Sequence, residues 1–144
     1  MATVVARGHR LGDDVASLPI VLGSYTEIVD GDTSTYDIET FNHGHATRKA
    51  KAMFEALGLG EDLRRAREGR KIRAGKGTMR GRVHKTPKSV LLVVSRKEGL
   101  AHAVRNLPGV DVVAVKDLCA EDLAPGGAVG RLTVFTKSAV EAMN

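Results

Sequence analysis

The chain has 144 residues, 42% of them hydrophobic, and carries a formal charge of +5 at neutral pH. That length suits one domain with one core, no apolar run approaches the roughly 20 residues of a membrane span, and no signal-peptide pattern opens the sequence. A lone cysteine, Cys119, excludes an internal disulfide and a cysteine-based metal cluster, so the composition fits a reducing cytosol.

Residues 1–17 are polar with scattered valines and show no clear period. Leu18–Leu22 reads as a short buried strand, and Pro19, which cannot donate to a central ladder, favours its start or a position at the sheet edge. Residues 23–45 are poorly defined, but Asp30-Gly-Asp is a turn signal between β-branched and tyrosine positions, which allows a hairpin. From Thr47 the period becomes helical. Ala50, Met53, Phe54 and Leu57 form one apolar stripe that Gly58 can stop. A second short helix places Leu59, Leu63 and Ala66 on one side and arginines on the other.

Residues 70–88 have neither helical nor strand periodicity, and glycines interrupt them repeatedly, so they read as an extended loop. Val90–Val94 is a continuous apolar run of the kind buried on both faces of a parallel sheet. Ala101 to Leu107 then reads as a helix, residues 110–115 as a strand, 117–123 as a helical turn, 132–136 as a strand and 137–143 as a helix. This alternation predicts an open α/β fold with right-handed connections between parallel strands.

Charge is concentrated. Residues 64–88 hold eleven Lys and Arg against the single acid Glu68, a net +10, which leaves the rest of the chain at −5. Self-repulsion on that scale points to one face that meets a polyanion. A solvated basic loop without a partner is the bland alternative, and the concentration of charge argues against it. Within the loop, Gly75, Gly77 and Gly81 let a backbone approach phosphate closely, while Arg70, Lys71, Arg73, Lys76, Arg80, Arg82, Lys85 and Lys88 supply cations and His84 a hydrogen-bonding ring. Residues 64–88 contain no aromatic, no helix-turn-helix or zinc-finger spacing appears, and no amphipathic helix with bulky apolar residues borders the loop for a membrane. What remains is phosphate contact and shape readout of structured RNA.

Other chemistry is thinner. Gly75-x-Gly77-x-x-x-Gly81 and Pro125-Gly-Gly-x-x-Gly130 both miss a dinucleotide fingerprint in spacing or in their place before a strand. His43-Gly-His45, with His9 or Asp37, could hold a metal, but histidine pairs in polar loops are more often solvated. His102 reads as a packing residue and Cys119 as a small buried one. No nucleophile–base constellation is present, so neither catalysis, a metal nor a cofactor is expected. A small α/β protein binding a phosphorylated metabolite, with the basic loop as its lid, is the alternative from another class.

Lys71–Arg82 (KIRAGKGTMRGR), Arg105–Val110 (RNLPGV) and Leu123–Ala139 (LAPGGAVGRLTVFTKSA) resemble, in that order, the family of large-subunit ribosomal protein four, in its archaeal and eukaryotic form. Arg7-Gly-His-Arg10 ahead of Leu18-Pro-Ile-Val21 resembles it too, and the resemblance covers about 46–144 well and 6–22 moderately. It implies a structural, non-enzymatic constituent of the cytoplasmic ribosome that binds large-subunit rRNA, touches neighbouring large-subunit proteins and supports assembly. An extraribosomal RNA-binding regulator built from the same domain would use the same surface. It further implies a three-layer α/β/α sandwich around a four-stranded parallel sheet in the order 1-4-2-3, spanning 1–144 as one RNA-binding domain. Arg131, after the Pro-Gly-Gly loop, joins the loop residues as a candidate RNA contact. Relative to the family, the sequence reads as lacking an N-terminal part and a long tunnel extension.

Overall fold

The apolar run starting at Val90 forms an inner strand of a four-stranded parallel sheet, buried from both sides. A computed structural model describes residues 2–13, 15, 18–29, 32–37 and 46–143. The first half holds helix α1 (Ala2–Ala6), strands β1 (Ile20–Leu22), β2 (Ser24–Val29) and β3 (Asp32–Asp37), and helices α2 (Ala46–Ala56) and α3 (Gly60–Glu68). Strand β4 (Lys71–Ile72), helix α4 (Lys76–Met79), strands β5 (His84–Lys85) and β6 (Leu91–Val94), and helix α5 (Gly99–Val104) follow. Strand β7 (Asp111–Ala114), helix α6 (Ala120–Leu123), strand β8 (Thr133–Thr136) and helix α7 (Lys137–Met143) complete the order.

The sheet runs β1, β8, β6, β7 from edge to edge, all pairs parallel. Its side chains alternate between two apolar clusters, as strand geometry demands. Leu92 and Val94 join Leu132, Val134, Phe54, Leu63, Leu100 and Val104 in one; Leu91 and Val93 join Ala139, Phe135 and Val113 in the other. Every residue of β6 is therefore buried, which is why its sequence is apolar without interruption. β1 begins one residue after Pro19 and sits at the edge, where Val21 is half exposed.

The predicted helices lie where their stripes put them. Ala50, Met53 and Phe54 of α2 face the core, and Gly58, at φ +74°, closes the helix in the left-handed conformation. Gly12 donates its N–H to the Gly58 carbonyl (2.8 Å), so the start of the chain lies against that turn. Leu63 and Ala66 of α3 continue the buried surface.

Four readings need correction. Residues 70–88 are not a featureless loop: β4 and β5 pair antiparallel, with α4 between them, so the glycines mark turns of a small arm. Cys119 is exposed, because it caps the surface start of α6, where its N–H and thiol both donate to Asp122 (3.3 and 3.1 Å). His102 is exposed as well; the flanking Ala101 and Ala103 take the inward face of α5. The aperiodic start of the chain contains α1, with Val4 buried. The hairpin allowed by the sequence is present as the antiparallel pair β2 and β3, with Val29 opposite Asp32; Asp30 and Gly31, like His43 and His45, fall outside the described residues.

Candidate nucleic-acid interface

The arm is built from short-range geometry. Lys71 pairs with Lys85 and Ile72 with His84 across β4 and β5, and the Arg73 N–H continues the ladder to the Val83 carbonyl (2.8 Å). Gly75 (φ +72°) turns the chain into α4 and Gly81 (φ +73°) turns it out again. A side chain at either glycine would meet no atom within 4 Å. These two glycines serve the backbone conformation and leave it bare to solvent. Thr78 closes the tip by donating its hydroxyl to the Arg73 carbonyl (2.5 Å).

Charge on the arm is uncompensated. Arg70, Lys71, Arg73, Lys76, Arg80, Arg82, His84 and Lys85 are all exposed, and among the described residues no carboxylate pairs with any of them. Arg73 alone spends part of its guanidinium within the arm, donating from Nε to the His84 carbonyl (3.3 Å). Three apolar side chains stand in solvent among the cations: Ile72, Val83 and Met79, the last 82% exposed.

Two polar knots hold the root of the arm, and the sequence reading missed both. In the first, the buried carboxylate of Asp62 accepts from the Arg10 N–H (3.0 Å), the Arg65 Nε (2.8 Å) and the Ser89 hydroxyl (2.6 Å), and bonds the His9 ring (3.0 Å). Burial alone would raise its pKa; the bonds from His9, Arg65, Ser89 and the Arg10 backbone outweigh this and hold the carboxyl well below the usual carboxylate range. Arg65 also donates to the Lys88 carbonyl (2.8 Å), so the knot grips the returning limb of the arm directly. A clue was visible: Asp62 lies in phase with Leu59, Leu63 and Ala66 on an otherwise apolar helical face.

The second knot relocates two predicted contacts. Lys88 pairs with Asp111 (2.6 Å) instead of standing free. Arg131 is buried at 6% exposure; its guanidinium bonds Asp111 and the Asp122 carbonyl (2.9 Å), and it is a scaffold residue with no face to offer a polyanion. Its place at the amino end of β8, beside the sheet rather than on the arm, explains the difference. Burial would raise the Asp111 pKa, but the bonds and positive charges of Lys88 and Arg131 lower it on balance.

Tight backbone packing completes the root. Gly109 (φ +75°) lies against the Pro87 carbonyl, and an added Cβ would collide with it. At Gly69 a Cβ would stand 2.7 Å from the Pro87 ring. Farther off, Arg7 donates to the carbonyls of Pro125 (2.5 Å) and Ala128, while Gly130 makes room for the Thr3 carbonyl. The motifs that looked familiar in the sequence thus divide into an exposed arm and the scaffold that carries it.

A sequence profile of the ribosomal protein L4/L1 family matches residues 21–144. The chain belongs to that family. It is 52% identical over 139 residues to the large ribosomal subunit protein uL4 of Pyrobaculum aerophilum, covering 96% of this chain and 44% of that protein. The uL4 of Methanocaldococcus jannaschii is 46% identical over 96% of the chain and 48% of its own length. That of Halobacterium salinarum is 42% identical over 96% and 49%. The chain therefore spans about half the length of the L4 relatives it matches.

Proposed function

We propose that this chain is a structural part of the large ribosomal subunit, where its arm holds large-subunit rRNA and supports assembly. The carrying observation is an exposed arm of uncompensated cations whose root is fixed by two polar knots, the Asp62 knot buried and the Asp111 knot partly so. Unpaired, exposed Lys and Arg are costly to gather in one place and are relieved by phosphate. Arg70, Lys71, Arg73, Lys76, Arg80, Arg82, His84 and Lys85 contact the RNA, Lys88 contributes from the root, and Gly75, Gly77 and Gly81 admit the backbone. Arg131 is left out because it is buried. Neighbouring large-subunit proteins share the assembly in the cytoplasm, and no catalysis is involved. The apolar clusters on opposite faces of the sheet support a three-layer α/β/α sandwich. Counted alone, the four sheet strands support the order 1-4-2-3, with residues 1–144 as one RNA-binding domain.

The test is a salt titration of binding to structured large-subunit rRNA beside an unrelated folded RNA of equal length. Neutralising about six phosphates gives a log–log slope near −5. A slope of that size with at least tenfold preference for the rRNA supports the assignment. No binding to either RNA at moderate salt overturns it.

A further inference from the structure

The arm is an open surface of exposed cations that can hold phosphates, and phosphate contacts alone cannot distinguish one sequence from another. A cleft beside its root can. The cleft has a volume of about 820 Å³, lies between α3, the turn after α2 and residues 106–108, and has Leu63, Leu107 and Pro108 on its wall. Arg67 and Arg70 stand on its rim, Arg70 being the residue that leads into β4. Glu55 and Glu61 also line it, but they are paired with Lys51 and Arg64 (both 3.2 Å). Arg67, Arg70 and Asn106 are exposed, and among the described residues their side chains have no recorded partner. Their charge and hydrogen-bonding capacity therefore remain free for a ligand.

We infer that this cleft takes one unstacked nucleotide of the RNA held by the arm. The inference rests on the RNA-binding assignment and adds to it the place where base identity is read. The volume lies within the range of small-molecule sites, about 300–1,000 Å³. A splayed base would find guanidinium planes to lie against, one of the surfaces on which unpaired bases stack, with the apolar wall of Leu63, Leu107 and Pro108 excluding water beside it. Its phosphate meets Arg67 and Arg70, and the Asn106 amide, which both donates and accepts, reads the base edge. Because Arg70 is shared between cleft rim and arm, the same strand can reach both.

Two measurements on the full chain test this. Amide NMR with nucleoside 5′-monophosphates at millimolar concentration is expected to shift Gly58, Leu63 and Asn106. Ribose 5-phosphate and inorganic phosphate are expected to shift them far less. Asn106→Ala is expected to weaken binding to structured large-subunit rRNA about tenfold, in line with the value of a good base-edge contact. Binding to an unrelated folded RNA, and the salt slope, should stay as they were. Equal shifts by monophosphates and ribose 5-phosphate would overturn the inference, as would equal losses on both RNAs or no loss on either. An acidic peptide that shifts these amides more strongly than any nucleotide would assign the cleft to a protein and overturn it too. Monophosphate shifts in a chain that shows no rRNA preference would uphold the cleft and refute the ribosomal assignment; rRNA preference without the shifts would do the reverse.

Discussion

Replacing Asp62 with alanine would leave the His9 ring, the Arg10 N–H, the Arg65 guanidinium and the Ser89 hydroxyl around an empty space where two carboxylate oxygens had been. Each hydrogen bond to a charged acceptor contributes about 1.5–3 kcal/mol, but the bonds are shared and not additive. Breaking a buried charged pair from one side costs about 3–5 kcal/mol, because the remaining partners stay desolvated. We expect Asp62→Ala to fall in that range, which for a domain of this size is a large part of its stability. The assay is urea unfolding at pH 7 and again at pH 3. The sign of the pH effect follows from the lowered pKa. A carboxylate held below its unfolded value, about 3.9, gives its full stabilisation above that value and loses it as the pH falls towards the folded one. The gap between native chain and variant should therefore be widest at pH 7 and narrower at pH 3. A loss under about 1 kcal/mol at pH 7, or a gap that widens in acid, would refute the reasoning.

Gly109→Ala should cost about 3 kcal/mol or more in thermal unfolding, since strain at positive φ is joined by a collision with the Pro87 carbonyl; Gly127→Ala, at φ +77° with open space around it, should cost only about 1–2 kcal/mol. Arg80→Ala should leave the melting curve within about 0.5 kcal/mol of the native one while lowering the salt slope of RNA binding by about one. Arg131→Ala should do the opposite, destabilising by about 2 kcal/mol or more in urea unfolding, because its bonds to Asp111 and the Asp122 carbonyl go, with the salt slope unchanged. A reduced slope in that variant would return Arg131 to the RNA surface.

The sheet strands and the two apolar helices could be read from the sequence because each is specified locally. An uninterrupted apolar run such as Val90–Val94 has few places to go except between two layers, and the stripe Ala50, Met53, Phe54 fits only a helical period. The basic residues of the arm could be read as a group for the same reason: charge density is visible without knowing the fold. What could not be read was which cations are free. Lys88 and Arg131 have the same composition-level appearance as Lys85 and Arg82, yet both are bound to Asp111, which is 20 or more residues away from each. The Asp62 knot likewise joins residues 9, 62, 65 and 89, a pairing that no local period encodes. The arm's ribbon escaped notice because β4 and β5 are two residues each, too short for alternation to register.

The position of β8 has a consequence for how the chain acquires its structure. Among the described residues β1 pairs with no sheet strand except β8, so Ile20 waits for Val134 before it has a ladder partner in the sheet. Between them lie α2, α3, the arm and both other sheet strands. Contacts this distant in sequence form late and slowly, because a long loop must close before they add any stability. During synthesis the arm therefore emerges from the translating ribosome well before the sheet beneath it is complete. A nascent chain in that condition exposes its cations first and its finished core last, so an early encounter with RNA would meet a flexible basic segment on a partly assembled scaffold.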